Sequence, residues 1–234
     1  MTGRDMGRFW DERAREDAMF FVDDREPYGN ADAERFWAQG ERDLDHILST
    51  LGTRIASGES VVDVGCGVGR LTRVIARRAR QVYAVDVSAE MLTLARVHNG
   101  ELDNVRWIHG DGATLRPIPD AAADAVVSHV VFQHIPDPQV TYGYVAEMGR
   151  VLRPGGWAAF QVSNDPSIHR VSRSAGQRLK AAVRRGPRGQ GDPKWLGSAV
   201  DLDALRATGE RAGLTLERIE GEATQFCLVL ARRG

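Results

Sequence analysis

Three glycines at alternate positions, Gly65, Gly67 and Gly69 in VVDVGCGVGR, follow an apolar run and precede a segment with helical spacing. A strand-to-helix turn of this composition lets a ligand approach the backbone closely, because no side chain stands in the way. The next acidic residue at a strand end, Asp86 in VYAVDVS, comes 21 positions after Gly65. Beyond the carboxyl end of a strand in an open α/β sheet, a carboxylate can accept both hydroxyls of a ribose. A second carboxylate, Asp111, stands between Gly110 and Gly112. It is suited to accept a hydrogen bond from an exocyclic amine such as that of adenine, or to bond its own turn. Together these residues predict a site for a ribose-bearing ligand. The dinucleotide fingerprint G-x-G-x-x-G sets its third glycine one position later than it stands here, and an NAD(P)-dependent oxidoreductase is the alternative on the same sheet.

The elements that would position these residues alternate. Apolar runs at 61–64, 82–87, 105–108, 125–131 and 157–162 are separated by helical spacing in LTRVIARRA from 71, AEMLTLARVHN from 89 and QVTYGYVAEMGRVL from 139. Alternation of this kind predicts parallel strands joined by crossover helices, an open α/β sheet covered on both faces. Ser88 is the expected N-cap of the second of these helices, and Arg153-Pro154-Gly155-Gly156 ends the third at Leu152. A late helix starts at Ser198 or Asp201 and stops at Gly213. LTLERIEGE and TQFCLVLAR then form a terminal hairpin whose last strand runs antiparallel to the rest.

With 234 residues and 42% hydrophobic content the chain can bury one substantial core. A net charge of -1, from 31 basic and 32 acidic residues, argues against a protein that coats nucleic acid or membrane with its whole surface. Two cysteines are too few for a disulfide framework, no metal-ligand spacing is found among the six histidines, and the charged N-terminus is no signal peptide. A soluble protein of a reducing cytoplasm is expected. Residues 1–52 carry no strand signal and read as an N-terminal helical cap. Residues 53–234 read as the core, interrupted at about 165–198 by an insertion.

VDVGCGVGR, AVDVS, GDG, DAVVSHVVFQHIPD and LRPGGW, in that order, resemble the class I S-adenosylmethionine-dependent methyltransferases, with motifs spanning roughly residues 55–164. The resemblance implies a Rossmann-like seven-stranded, mostly parallel sheet with an antiparallel last strand and a lid after strand 5. It implies S-adenosylmethionine as cofactor, S-adenosylhomocysteine (SAH) as product, and a small-molecule methyl acceptor. By resemblance Asp63, Gly65, Cys66 and Gly67 hold the methionine moiety, Asp86 takes the ribose, and Val87 and Met91 pack on the adenine. Gly110, Asp111 and Gly112 address the adenine edge, and the Ser128 carbonyl accepts the cofactor's amino group. In the implied reaction positioning dominates, and a general base is needed only for a neutral alcohol or protonated amine. His134 is the candidate for that base, with Gln133 beside it at the reactive end; packing at a helix start is its other reading. His129, inside a strand, reads as a buried neutral imidazole.

Between Pro166 and Gly191 lie seven basic residues and no acidic one, on an amphipathic pattern that predicts a lid helix. This face either attracts an anionic substrate, which makes an RNA or protein methyltransferase the second reading, or pairs with residues 11–45, where twelve acidic side chains stand against five basic. The pairing is favoured, since the basic run lacks the aromatic platforms of nucleic-acid sites. Tyr28 and Trp195, aromatic residues in loop-like sequence, are the candidates for substrate contact. The identity of the acceptor and the atom methylated stay open.

Overall fold

In the computed structural model, residues 3–169 and 187–234 are described. Helices α1 (Gly3–Val22) and α2 (Ala33–Leu51) precede β1 (Ser60–Val64), α3 (Thr72–Arg78), β2 (Gln81–Asp86), α4 (Ala89–His98), β3 (Val105–His109) and β4 (Ala123–Ser128). A 3-10 turn (Phe132–His134), α5 (Pro138–Val151), β5 (Leu152–Val162), a helical turn (Pro193–Leu196), α6 (Leu202–Arg211), β6 (Leu214–Glu220) and β7 (Cys227–Arg233) follow. The seven strands form one sheet in the order β3-β2-β1-β4-β5-β7-β6. β1 to β5 pair in parallel, and β7 runs antiparallel to both β5 and β6. The order reverses between β1 and β4, and in open α/β sheets ligands bind at that crevice, outside the carboxyl ends of the strands.

Central strands covered on both faces need apolar side chains in both directions, hence the near-continuous runs in the sequence. Val62, Val64, Val126 and Phe160 face the α5 and α6 side with Tyr144, Val145 and Met148; Val61, Val82, Ala125 and Trp157 face the other with α2 and α3. α2 places Leu44, Ile47, Leu48 and Leu51 in this second cluster, at the spacing of a single helical stripe. The expected cap of residues 1–52 is thus divided by its packing: α2 completes a layer of the core, while α1 lies over the ligand end of the sheet.

Two strand boundaries differ from the pattern. β4 stops at Ser128 rather than at 131, because Val130 takes a positive φ of 57° and turns the chain away. β5 begins already at Leu152, opposite Ala123, and the RPGG stretch is absorbed as an irregularity before Trp157 resumes pairing with Ala125. Ser88 and Asp201 cap α4 and α6 as expected, accepting from the amides of Met91 and Ala204. The basic helix expected within the insertion falls on residues that lie largely outside the described ones; in the stretch after it, the Arg188 amide donates to Glu16 of α1.

α2 sits so close to the glycine turn that a Cβ on Gly40 would lie 2.7 Å from the Arg70 carbonyl oxygen. Backbone cannot swing aside, so Gly40→Ala is expected to lose about 1–3 kcal/mol through overpacking, against about 1 kcal/mol gained from helix propensity. A lower urea midpoint is the expected result; a higher one would mean that α2 is not seated on this turn.

Candidate active site

The glycine turn leaves β1 with Gly65 at φ 73° and Gly67 at φ 54°, conformations that suit glycine. Space is as restrictive as torsion: a Cβ on Gly65 would come within 2.3 Å of the Val131 side chain. The amides of Gly65 and Cys66 both donate to the Val85 carbonyl, at 2.8 and 3.0 Å, so β2 fixes the turn. Gly69 has a different task, since a Cβ there would meet Asn99 at 2.7 Å and Trp107 at 2.8 Å. It serves packing rather than ligand approach.

Asp86, the last residue of β2, is buried and accepts the amides of Gly67 and Ser88, each at 2.8 Å. Burial raises its pKa above the ordinary carboxylate value, while these two amides pull it down. Each carboxylate oxygen still has a second lone-pair direction for a further donor. Asp63, in the middle of β1, is also buried and accepts the Thr72 hydroxyl at 2.6 Å. Burial pushes its pKa up to about 6, partly opposed by that hydrogen bond.

These groups open on one cavity beside the turn, bordered by Asp63, Gly65, Cys66, Gly67, Asp86, Val87, Met91, Gly110 and Gly112. The sequence candidates for the cofactor are therefore largely brought together. Met6, Trp10, Phe21 and Val22 of α1 close the cavity from above. α1 can lie this low because Gly3 and Gly7 present no side chain to the carbonyls of Asp111 and Val87. Asp11 of α1 ties it down, accepting the Ser88 hydroxyl at 2.7 Å and the Glu90 amide at 3.1 Å. No pattern in the sequence singled out Met6 or Asp11.

Asp111 is adjacent to Asp86 through the β2–β3 pairing, in which Asp86 stands opposite His109. Its carboxylate turns back on its own loop, accepting the amides of Ala113 and Thr114 and the Thr114 hydroxyl at 2.7–2.9 Å. Burial would raise its pKa, but these bonds outweigh it and hold the group below the usual range. Gly110, Gly112 and Ala113 of this loop border the cavity, whereas Asp111 does not. Ser128 is fully buried, its hydroxyl donating to the Val64 carbonyl at 2.9 Å, and it does not line this cavity.

His134, Gln133 and Trp195 border a second cavity, which shares Phe21, Val22, Arg70, His129 and Val130 with the first. His134 is buried, with Nδ1 donating to the Trp195 carbonyl at 2.6 Å and Nε2 accepting from the Gln133 amide at 3.2 Å. Burial lowers its pKa to about 4, opposed by the bond to Trp195. With both nitrogens engaged the ring is a clamp on the Trp195 loop, and its arrangement does not provide the free lone pair that a general base needs. The Trp195 ring packs at a tilt against His134, with ring centroids 4.9 Å apart. Tyr28 borders neither cavity: it is exposed, and its hydroxyl donates to Glu16 at 2.8 Å.

A network of charges closes the far side. Arg70, directly after the glycine turn, donates to Asp43 at 2.6 Å, and Arg25 bridges Asp23 and Asp43 at 2.6 Å each. Burial would raise the pKa of Asp43, but the two guanidinium groups more than offset it and bring it down to about 2. The strained turn at Val130 is held by its amide donating to Gln161 at 2.9 Å, and Gln161 in turn donates to Gln133 at 2.6 Å. A β-branched residue at positive φ costs on the order of 1–3 kcal/mol and persists where its surroundings over-determine it. Among the described residues no cluster of three or more His, Cys, Asp or Glu could hold a metal, and no helix is long and apolar enough to cross a membrane.

The sheet order, the glycine turn after β1 and the acid at the end of β2 define a Rossmann-like methyltransferase fold. The model of the family described as "Methyltransferase domain" matches residues 62–160. A demethylmenaquinone methyltransferase from Tropheryma whipplei is 34% identical over 44% of this chain and 41% of its own. A ubiquinone biosynthesis O-methyltransferase from Alkalilimnicola ehrlichii is 32% identical over 58% of this chain and 57% of its own. The magnesium protoporphyrin IX methyltransferase of Synechocystis, solved with bound SAH, superposes with a TM-score of 0.64 over 97% of both chains at 16% identity. Residues 62–160 thus match a methyltransferase domain, and the chain shares its fold with solved S-adenosylmethionine-dependent methyltransferases such as that of Mesorhizobium loti. The chain spans about half the length of the curated relatives it matches.

Proposed function

We propose that this protein methylates an oxygen or nitrogen atom of a small-molecule metabolite, with S-adenosylmethionine bound at the glycine turn. The observation that carries the reading is the meeting of two cavities at a common wall of Phe21, Val22, Arg70, His129 and Val130. One has the polar groups for an adenosyl ligand, the other aromatic walls for an acceptor. The named relatives that act on demethylmenaquinone and in ubiquinone biosynthesis support a small, flat acceptor.

The chemistry of the donor set fits the cofactor. A pyrophosphate needs free amides at the turn, but the Gly67 amide is engaged by Asp86, and two buried carboxylates border the same cavity. Two carboxylates bordering one enclosed cavity oppose a dianion and favour a sulfonium and an ammonium. Asp86 would hold the ribose hydroxyls, Val87 and Met91 the adenine, and Asp63 with the turn the amino-acid end. The bound cofactor supplies a methyl group on a positively charged sulfur. The chain's own task is to exclude water with Met6, Trp10 and Phe21 and to hold the acceptor in line, where orientation contributes most of the rate.

Calorimetry with SAH and with NAD tests this directly: SAH is expected to bind and NAD to give no heat. Binding of NAD alone would replace the reading with an oxidoreductase. Transfer of label from S-adenosylmethionine into a metabolite extract tests the acceptor class, and label found only in RNA or protein would move it to a macromolecule.

A further inference from the structure

His129 is the first residue beyond β4 and borders both cavities, at the point where donor and acceptor would meet. Its Nδ1 is enclosed and has no hydrogen-bond partner among the described residues. Nε2 is then the ring nitrogen that can reach the cavities. The residue that follows, Val130, has a φ of 57° and is pinned through its amide to Gln161, so the ring's position is imposed by a strained, over-determined turn. Val131 of the same turn packs into the space left by the missing side chain of Gly65. Among the described residues no group hydrogen-bonds this imidazole, and strain of this kind gathers where a side chain is aimed at a ligand.

Which proton the ring carries follows from its surroundings. A buried N–H without an acceptor is rarer and more costly than a buried lone pair without a donor. Nδ1 therefore keeps the bare lone pair, and the proton sits on Nε2, facing the cavities. Asp43 of α2 and Asp23 of the α1–α2 loop favour a second proton on the ring, while Arg70 of the glycine turn and Arg25 oppose it. Burial dominates all four and lowers the ring's pKa to about 4. A ring this acidic is a poor proton acceptor at neutral pH but a dependable neutral donor.

We propose that His129 positions the methyl acceptor by donating its Nε2–H to the acceptor's nucleophilic oxygen, and that this oxygen is an ionised aryl or enol oxygen. The inference rests on the function proposed above. Phe21 and Trp195 supply flat walls for such a ring beside His129, and the charges bordering the same cavity, Arg25 and Arg70 with Asp23 and Asp24, leave its orientation to the neutral His129 donor. Because the oxygen arrives ionised, no base is required: its electron pair forms the new carbon–oxygen bond, the carbon–sulfur pair returns to sulfur, and His129 keeps its proton throughout. His129 thus fills the place near the reacting atoms that the geometry does not give to His134.

The test is an NMR measurement on histidine labelled with nitrogen-15, with His129 assigned by the loss of its signals in His129→Gln and His129→Phe. The Nε2–H tautomer is expected, unprotonated across roughly pH 5–8, where an ordinary imidazole titrates. In parallel, para-nitrophenol is bound in the presence of SAH and its ionisation followed by absorbance. Wild type should hold the phenolate, and His129→Gln, whose amide nitrogen reaches the place of Nε2, should retain most of that affinity. His129→Phe should lose at least about tenfold, the loss of one hydrogen bond to a charged group. The Nδ1–H tautomer, equal phenolate affinity in His129→Phe, or no binding of para-nitrophenol to wild type would each overturn the inference. SAH affinity on the same samples separates the two proposals. If SAH binds and the phenolate result is negative, only the role of His129 fails; if SAH does not bind, the proposed function fails as well.

Discussion

Asp86→Ala is expected to weaken SAH binding by roughly 10²–10⁴-fold. The carboxylate is buried at the mouth of the glycine turn, with one lone-pair direction on each oxygen already taken by the amides of Gly67 and Ser88. Two ribose hydroxyls donating to the remaining directions would each contribute about 1.5–3 kcal/mol, the range for hydrogen bonds to a charged group, and every 1.4 kcal/mol is tenfold in affinity. Truncation also leaves the two amides without acceptors in a buried place, so the melting temperature should fall together with affinity. Asp86→Asn separates the two effects. Its amide oxygen still accepts one of the backbone bonds, so the fold should be closer to wild type while binding falls by at least tenfold, since charge and one acceptor are lost. Calorimetry with SAH and thermal melts read both quantities. An Asp86→Ala variant that binds SAH within threefold of wild type would mean that the ribose is not held at the end of β2.

The elements were legible in the sequence wherever local chemistry decides them. Ser88 caps α4 because its hydroxyl reaches an amide three residues on, and Gly65 marks its turn because its torsion suits glycine. Strands β1, β2 and β4 announced themselves by apolar residues in both directions, a consequence of lying at the centre of a covered sheet. The direction of a side chain beyond a strand end was not legible, because distant partners decide it. Asp111 could bond its own turn or a ligand, and Thr114 settled the choice for the turn. His134 is clamped by the Trp195 carbonyl, 61 residues away, and His129, whose Nδ1 has no partner among the described residues, precedes a positive φ at Val130 that no residue pattern announces. α2 looked like part of a cap because nothing in its own stripe says which sheet face it will cover. The engagement of Arg70 with Asp43 likewise required the fold.

Asp63→Asn is expected to make the protein more stable and the site worse. The ionised Asp63 carboxylate is enclosed in the middle of β1, where burial lifts its pKa from 3.8 to about 6. An acid whose pKa is higher in the folded than in the unfolded chain binds its proton more tightly when folded, so stability falls as pH rises from about 4 through about 6 and levels off above. A shift of that size corresponds to roughly 3 kcal/mol at neutral pH, on the order of 1.4 kcal/mol per unit. Asparagine keeps an oxygen for the Thr72 hydroxyl and removes the buried charge, giving up about 1 kcal/mol of the stronger charge-assisted bond. The variant should therefore gain about 1–2 kcal/mol at pH 7, and the gain should disappear below about pH 4, where both proteins are neutral at this position. A carboxylate that destabilises its own fold is retained where it meets a cationic ligand, which in the site proposed above would be the ammonium of the cofactor's amino-acid end. Wild-type affinity for SAH should accordingly rise between pH 5 and pH 7 as Asp63 ionises, whereas Asp63→Asn should bind at least about tenfold more weakly and without that rise. Urea melts at several pH values and calorimetry across the same range read both halves. A variant no more stable at neutral pH, or one whose SAH affinity keeps the wild-type pH profile, would show that Asp63 is neither a buried charge in the free protein nor the partner of the cationic end.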